Sequence, residues 1–229
     1  MKQTIAVYSS NREPPQGFTR SIERLMLAGC AVVPQTGTAD VSLARNLALT
    51  AVAQVLRAGT PADVVLMVDD DMAFELADVA QIAAHVRSTG RAASGAYCMS
   101  DGRLAAHYVG PSWSTGLGFL AMPAAQLLTL ADSSQVFRGT ADGKSVIEFT
   151  RSAVVQRGEE RVWSPEDFYL CERLGGVDLL RLRIAHLKTV PLMPQAASLD
   201  ALIMKHEQPP SQAELRDLAE QIRQTAPTP

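Results

Sequence analysis

Cysteine is scarce and scattered in this chain. Cys30, Cys98 and Cys171 are odd in number, widely separated, and form neither a CxxC pair nor a metal-ligand spacing. They read as reduced, buried thiols of a cytoplasmic protein. An excess of charge of either sign is also missing. The formal net charge of -3 leaves no nucleic-acid footprint. No apolar stretch reaches the length needed to span a bilayer, so no integral membrane segment is expected. The stretch Met1-Lys2-Gln3-Thr4-Ile5-Ala6-Val7 runs straight into a strand-like pattern, without the h-region and cleavage site of a secretory leader. No GxxxxGK is present and no GxGxxG follows a first strand, which argues against a P-loop or dinucleotide fold. No GxSxG is present, so an esterase elbow is unsupported. Internal repeats and low-complexity stretches are absent too.

What the chain does have is an ordinary globular apolar fraction, 47% of 229 residues, and one unusual junction. The most apolar run, Val64-Val65-Leu66-Met67-Val68, is followed at once by Asp69, Asp70 and Asp71. A short β-branched run of this kind reads as a strand buried on both faces, as in a parallel sheet covered by helices. The carboxylates then stand at the carboxyl end of that strand, where open α/β sheets bind ligands. Three adjacent negative charges repel one another unless a cation or hydrogen-bond donors compensate. An oxygen-rich cluster suits Mg²⁺ or Mn²⁺, and a metal held there can hold a diphosphate. One aspartate would serve to cap the next helix; three exceed that role.

Around this junction the pattern alternates. Strands are expected over Ile5–Tyr8, Cys30–Pro34 and Val64–Val68, and helices over Phe18–Ala28, Asp40–Ala58 and Glu75–Arg87, the second of them stopping at Gly59. Such alternation predicts parallel βαβ units. The second half differs. Ala92–Ala96, Leu104–Val109, Leu117–Met122 and Leu179–Ile184 read as strands, and Pro123–Ala131 and Pro165–Leu174 as helices. Ser133–Trp163 is polar and glycine-punctuated, with strand-like pieces at Val146–Phe149 and Ala153–Val155, and reads as an excursion or hairpin. Pro209-Pro210 marks a break, and Ser211 with Glu214 forms a capping box that opens a last helix. Its stripe Leu215, Leu218 and Ile222 either docks on the main domain, the plainer expectation, or makes a homodimer contact. The expected organisation is a domain over 1–208, with halves at 1–90 and 91–208, followed by a helix and tail at 209–229.

Further groups could carry chemistry. Asp40 or Ser42 can cap the second helix, which puts Arg45 and Asn46 in its first turns near the carboxyl edge of the sheet. A guanidinium there can pair with phosphate or with the aspartates. Trp163-Ser164-Pro165-Glu166-Asp167 sets an indole before a proline-started helix with two carboxylates in its first turn. Helix-dipole compensation accounts for such carboxylates. A general base aimed at a substrate hydroxyl, with the indole as a sugar platform, is the functional reading. His186 follows a strand-like run and could ligate a cation if the fold brings it to the aspartates. His85, His107 and His206 show no comparable setting.

In this order the pieces resemble the GT-A glycosyltransferases, in particular small bacterial and phage-type family-2-like members. Val-Ser-Leu-Ala-Arg-Asn at 41–46 looks like the family's ARN helix, and Val-Val-Leu-Met-Val-Asp-Asp-Asp-Met at 64–72 like the strand ending in DxD. Thr-Gly-Leu-Gly-Phe-Leu-Ala-Met at 115–122 is similar to the acceptor-side strand. Ser-Pro-Glu-Asp-Phe-Tyr-Leu-Cys-Glu-Arg-Leu at 164–174 resembles the ED…C.R helix. The resemblance spans roughly residues 3 to 190. It implies an α/β fold of the GT-A nucleotide-diphospho-sugar transferase type, with a mainly parallel sheet flanked by helices, 1–90 as the nucleotide-binding half and 91–208 as the acceptor-side half.

It also implies roles. Asp71 and Asp69, with His186, would hold Mn²⁺ or Mg²⁺. Ser9, Arg45, Asp69 and Asp70 would contact a UDP- or GDP-linked sugar donor. Gly116, Gly118 and Trp163 would lie on the substrate side. Asp167, with Glu166, would supply the base for a saccharide, lipid-linked or protein acceptor. Where the family often ends in HxG, this chain has His186-Leu187-Lys188. The expected activity is hexosyl transfer from a nucleotide-diphosphate sugar to an acceptor hydroxyl, inverting if a base stands opposite the leaving group. The alternatives are a DxD-type phosphatase or phosphotransferase, which needs a later lysine that Lys144 and Lys188 do not obviously supply, and a non-catalytic nucleotide-sugar binding module.

Overall fold

The computed structural model describes residues 3–36, 38–99, 103–109, 112–139, 143–187 and 191–192. In chain order the elements are β1 (Gln3–Ser10), α1 (Gln16–Leu27), β2 (Ala31–Thr36), α2 (Val41–Arg57), β3 (Ala62–Asp69), β4 (Met72–Ala73), α3 (Leu76–Thr89), β5 (Ala93–Gly95), β6 (Ala106–Val109) and β7 (Ser112–Thr115). They continue with β8 (Phe119–Pro123), α4 (Ala124–Ser133), β9 (Val136–Arg138), β10 (Ser145–Ile147), β11 (Ala153–Arg157), β12 (Glu160–Ser164), α5 (Glu166–Arg173), β13 (Asp178–Leu180), β14 (Ala185–Leu187) and β15 (Pro191–Leu192). The last helix, together with Lys188 and His206, lies outside the described residues. No helix among those described is long and apolar enough to cross a membrane.

Six strands form the central sheet in the order β13-β5-β8-β3-β1-β2. The β1–β2, β1–β3 and β5–β13 pairings are parallel, and β8 runs antiparallel between β3 and β5. The expected mainly parallel α/β sheet flanked by helices is therefore the observed architecture. The β3 run explains why it forms. Val65 and Met67 face one core, with Leu49 and Val52 of α2 and Leu127 of α4. Val64, Leu66 and Val68 face the other, with Ile22 of α1 and Ile82 of α3. Residues alternate across a strand, so a run apolar at every position is satisfied only with helices on both sides.

Three sequence expectations change. Leu179–Ile184 is not one strand: only 178–180 pair with β5, itself three residues long. Beyond that, Asp78 of the α3 capping box accepts the Arg183 backbone N–H at 2.8 Å, while Leu182 and Ile184 still bury into the core. Leu104–Val109 begins as strand only at Ala106, Leu104 making an isolated bridge to Cys98. The 133–163 excursion resolves into two antiparallel hairpins, β9–β10 and β11–β12.

Candidate active site

The three aspartates diverge to three different partners. Ser9 and Asp69 are register partners at the ends of β1 and β3, and the Asp69 N–H donates to the Gly118 carbonyl at 3.0 Å. Asp70 turns toward the end of β1, where the Ser10 hydroxyl donates to it at 2.6 Å and Arg12 lies 3.6 Å away. Asp71 faces His186, Nε2 to Oδ2, at 3.3 Å. The two-residue strand β4, immediately after the triplet, pairs antiparallel with β14 and sets His186 opposite Met72. The Leu187 N–H donates to the Asp71 carbonyl. The repulsion inherent in three adjacent carboxylates is thus relieved by cationic and hydroxyl partners, with Arg12 shared between Asp70 and Asp71 at 3.6 and 3.8 Å.

Asp69 meets Arg45, which comes from α2. The Asp40 carboxylate caps that helix by accepting the Leu43 N–H at 2.7 Å, so Arg45 falls in its opening turns. Its guanidinium bridges two elements: Nη2 donates to both Asp69 oxygens at 3.1 and 3.0 Å, and Nη1 to Glu166 at 2.5 Å. Arg45 is only 8% exposed. Burial alone lowers its pKa; the carboxylates of Asp69 and Glu166 more than offset this and raise it, keeping the cation permanently charged. Its Nε has no hydrogen-bond partner among the described residues. Asn46, the next residue, is buried and pins the far segment: its Oδ1 accepts the N–H groups of Phe149 and Thr150 at 2.8 Å each, and its Nδ2 donates to the Thr150 carbonyl at 2.8 Å. That clamp ties the chain leading into the β11–β12 hairpin against α2, and the hairpin delivers Glu166 to Arg45.

Glu166 and Asp167 open α5 behind Pro165. Burial, and then the neighbouring Glu166 charge, push the Asp167 carboxyl up to about 6. Beside it stands Tyr97, whose hydroxyl accepts the Gly118 N–H at 3.0 Å. Burial, reinforced by Asp69, raises the Tyr97 pKa and keeps the phenol neutral. Both glycines of Gly116-Leu117-Gly118 are needed for this seat. A Cβ would lie 2.3 Å from the Tyr97 oxygen at Gly116 and 2.7 Å from it at Gly118. His107 packs edge-on against Phe168, ring centroids 5.3 Å apart, and burial together with the Arg103 charge lowers its pKa.

Two clefts flank the Arg45–Asp69 pair. One, of about 270 Å³, is lined by Ser9, Ser10, Asn11, Val41, Asp70 and Asp71 among others. The second, of about 180 Å³, is lined by Tyr97, His107, Gly116, Asp167, Phe168 and His186 among others. Arg45 and Asp69 line both. The structure thus brings together Ser9, Arg45, Asp69, Asp70, Asp71, Gly116, Glu166, Asp167 and His186. Gly118 lies directly under Tyr97. Trp163 stands apart: it is 65% exposed, opposite Val154 in the β11–β12 hairpin, and is not among the residues lining either cleft.

The donor set bears on a metal. His186 Nδ1 lies 2.9 Å from the Cys98 carbonyl. A carbonyl only accepts, so Nδ1 carries the proton and Nε2 is directed at Asp71, the outer hydrogen bond typical of a metal-ligating imidazole. Asp71 and His186 therefore fit a divalent cation, and an imidazole in the set favours Mn²⁺ over Mg²⁺. Both oxygens of Asp69 are engaged by Arg45. Among the described residues no group of three His, Cys, Asp or Glu side chains is close enough to hold a metal, so further ligands would come from water or substrate.

Ser10, Tyr97 and the structural role of Asn46 are not among the sequence expectations, and His107 reads there as a histidine without a comparable setting, whereas it lines the second cleft. Ser10 follows Ser9 at the end of β1, where both line the same cleft. Tyr97 lies just past the three-residue β5 and His107 in the four-residue β6, neither with a motif of its own; only the glycine pair at 116 and 118 hinted at a large group packed over it.

No protein-family model and no curated protein matches the sequence. Among solved structures, A197 from STIV superposes with a TM-score of 0.55 at 16% identity, over 81% of this chain and 86% of that one. This likeness shows a shared fold. A 4-diphosphocytidyl-2C-methyl-D-erythritol synthase from Anaerococcus prevotii DSM 20548 gives a TM-score of 0.43 at 10% identity, over 80% of this chain and 90% of that one. A glycosyltransferase involved in glycosylation of the major capsid of PBCV-1 gives 0.35 at 9%, over 54% and 61%. Scores below 0.5 add nothing to the argument.

Proposed function

We propose that the chain is a metal-dependent glycosyltransferase of the GT-A type, moving a sugar from a nucleotide-diphosphate donor to an acceptor hydroxyl with inversion. The observation that carries this reading is the buried Arg45, which joins Asp69 at the end of β3 to Glu166 at the start of α5 and stands between the two clefts. One guanidinium thereby fixes the distance between a polar, strand-end cleft suited to a diphosphate and a carboxylate pair suited to proton removal.

A divalent cation at Asp71 and His186 would supply Lewis-acid neutralisation of the diphosphate. The rest falls to the chain's own side chains. Ser9, Ser10 and Asn11 offer hydroxyl and amide groups to the nucleotide, with Arg12 at the rim. Glu166 is held by Arg45, and burial together with the Glu166 charge pushes Asp167 up to about 6, basic enough to take a proton from an acceptor hydroxyl at neutral pH. Opposite placement of that base and the leaving diphosphate is what inversion requires.

A phosphatase or phosphotransferase with a nucleophilic aspartate fits less well. Both oxygens of Asp69 are engaged by Arg45, no lysine lines either cleft among the described residues, and Lys144 lies at the turn of the β9–β10 hairpin. The direct test is Asp71→Asn, assayed in Mn²⁺ for hydrolysis and transfer of UDP- and GDP-linked sugars. The expected outcome is a loss of about 100-fold or more in both reactions, the scale of a lost metal-centred stabilisation. Unchanged rates would sink the reading, and tight donor binding by the unmutated protein with no turnover over a broad acceptor panel would favour a non-catalytic binding module.

A further inference from the structure

Arg12 stands at the mouth of the first cleft with its backbone fixed and its side chain in solvent. Its N–H donates to the Ser10 Oγ at 3.4 Å, and that hydroxyl donates in turn to Asp70 at 2.6 Å. The chain then passes through Glu13 to Pro14-Pro15, the second of which stands just before α1. Proline fixes its own φ and restricts the residue before it, so this connection is stiff from Glu13 onward. The guanidinium, by contrast, is 57% exposed. Its Nη2 lies 3.6 Å from Asp70 Oδ1 and 3.8 Å from Asp71 Oδ2. Both distances exceed those of a hydrogen bond. The contact is therefore Coulombic, one cation shared between two adjacent carboxylates.

The Asp71 oxygen that Arg12 approaches is Oδ2, the same atom that faces His186 Nε2 at 3.3 Å. Arg12 therefore leans on the oxygen that a cation between Asp71 and His186 would need. Its hold there is weak. Exposed ion pairs are individually worth little, because water screens them and a long side chain must be held still. A divalent cation sits about 2 Å from its carboxylate oxygens. Arg12 is at nearly twice that distance with half the charge, so its attraction for each oxygen is roughly a quarter as strong in the same medium. In a competition for Asp71, Arg12 is the group that yields. Its planar fork suits phosphate oxygens, and the carboxylates it leaves line the cleft shared with Ser9, Ser10 and Asn11.

Resting on the transferase reading above, we propose that Arg12 is a displaceable counter-cation: it holds Asp70 and Asp71 until a divalent cation takes Asp71 and His186, and it then turns its guanidinium to the donor's diphosphate. Arg12 thus opposes metal binding and supports nucleotide binding. The two effects have opposite signs, which neither a structural role nor a fixed place in the cleft wall produces.

The test is calorimetric titration of the full chain and of Arg12→Ala and Arg12→Lys, first with Mn²⁺ alone and then with UDP and GDP in saturating Mn²⁺. Arg12→Ala should bind Mn²⁺ about threefold tighter, a gain that a damaged fold could not give. The difference should narrow in 1 M salt, where the screening length of about 3 Å is shorter than either contact. In saturating Mn²⁺ the same variant should bind the accepted nucleotide about tenfold more weakly, the scale of one lost contact to a charged group. Arg12→Lys keeps the point charge and should return Mn²⁺ affinity to the unmutated value. Mn²⁺ binding that is unchanged or weaker in Arg12→Ala overturns the proposal and leaves the transferase reading standing. So does tighter metal binding with unaltered nucleotide affinity, and so does Arg12→Lys binding Mn²⁺ as tightly as Arg12→Ala. An unmutated protein that fails to bind Mn²⁺, or that binds neither nucleotide in it, overturns both readings together.

Discussion

The two clefts that meet at Arg45 are built in different ways. The first is assembled from neighbours in sequence: Ser9, Ser10 and Asn11 leave β1 together, and Asp69, Asp70 and Asp71 leave β3 beside them. The second is assembled from seven separate stretches, contributing Arg45, Asp69, Tyr97, His107, Gly116, the Glu166-Asp167 pair and His186 among others. The first is a property of two parallel strand ends and the start of α2, the second a property mainly of the second half of the chain. Locally encoded sites can be read from a run of residues. Globally encoded ones depend on how hairpins and helices pack, and the sequence records them only as scattered glycines and lone polar residues.

That contrast can be broken by mutation. The largest effect should come from the second cleft. Asp167→Asn removes the base and is expected to lower transfer by about 10²–10⁴-fold with little change in nucleotide affinity, measured by steady-state kinetics with separate kcat and KM. In the unmutated protein the rate should rise with pH as the Asp167 carboxyl, pushed up to about 6, ionises, because only the deprotonated form can accept a proton.

Next in size is the shared wall. Arg45→Met leaves the partly exposed Asp69 and Glu166 without their buried cation, and about 2–3 kcal/mol of stability, less than for a fully buried pair, should be lost in urea unfolding. If the clefts were energetically independent of Arg45, the loss would be far smaller. Asn46→Ala leaves the N–H groups of Phe149 and Thr150 without their acceptor. A cost of about 2 kcal/mol is expected from such buried unpaired groups, with the second cleft affected and diphosphate binding in the first retained.

The smallest effect separates stability from function at one residue. The Asp167 carboxyl holds its proton more tightly folded than unfolded, about 6 against an ordinary 3.8. Ionising it therefore costs stability as pH rises through that window, a penalty present above about pH 6 and absent below the unfolded value. Asp167→Asn should accordingly stabilise the protein at pH 7 by about 1 kcal/mol and leave it unchanged at pH 3.5, as read by melting curves at the two pH values.

Much of the fold was legible. The all-apolar run at 64–68 required helices on both faces, and the alternation through residue 90 gave β1–α1–β2–α2–β3 and α3 to within a few residues. Arg45 was legible as a partner for the aspartates because Asp40 fixes where α2 begins. What failed did so for physical reasons. Leu179, Leu180, Leu182 and Ile184 bury like a strand, but their backbone leaves the sheet where β5 ends and Asp78 takes the Arg183 N–H. The meeting of Asp71 with His186 depends on β4, a strand of two residues with no sequence signal of its own. Trp163 precedes Glu166 in sequence, yet a hairpin strand points its indole to solvent. Tyr97 and His107 gave no periodicity to read.

The central claim is that the strand-end cleft is a metal-dependent diphosphate site. Titrating UDP and GDP into the protein by calorimetry, in Mn²⁺ and in its absence, tests it most directly. One of the two nucleotides should bind in Mn²⁺ and lose about tenfold or more in affinity when the metal is removed. Binding of neither nucleotide, or binding indifferent to Mn²⁺, would contradict the account.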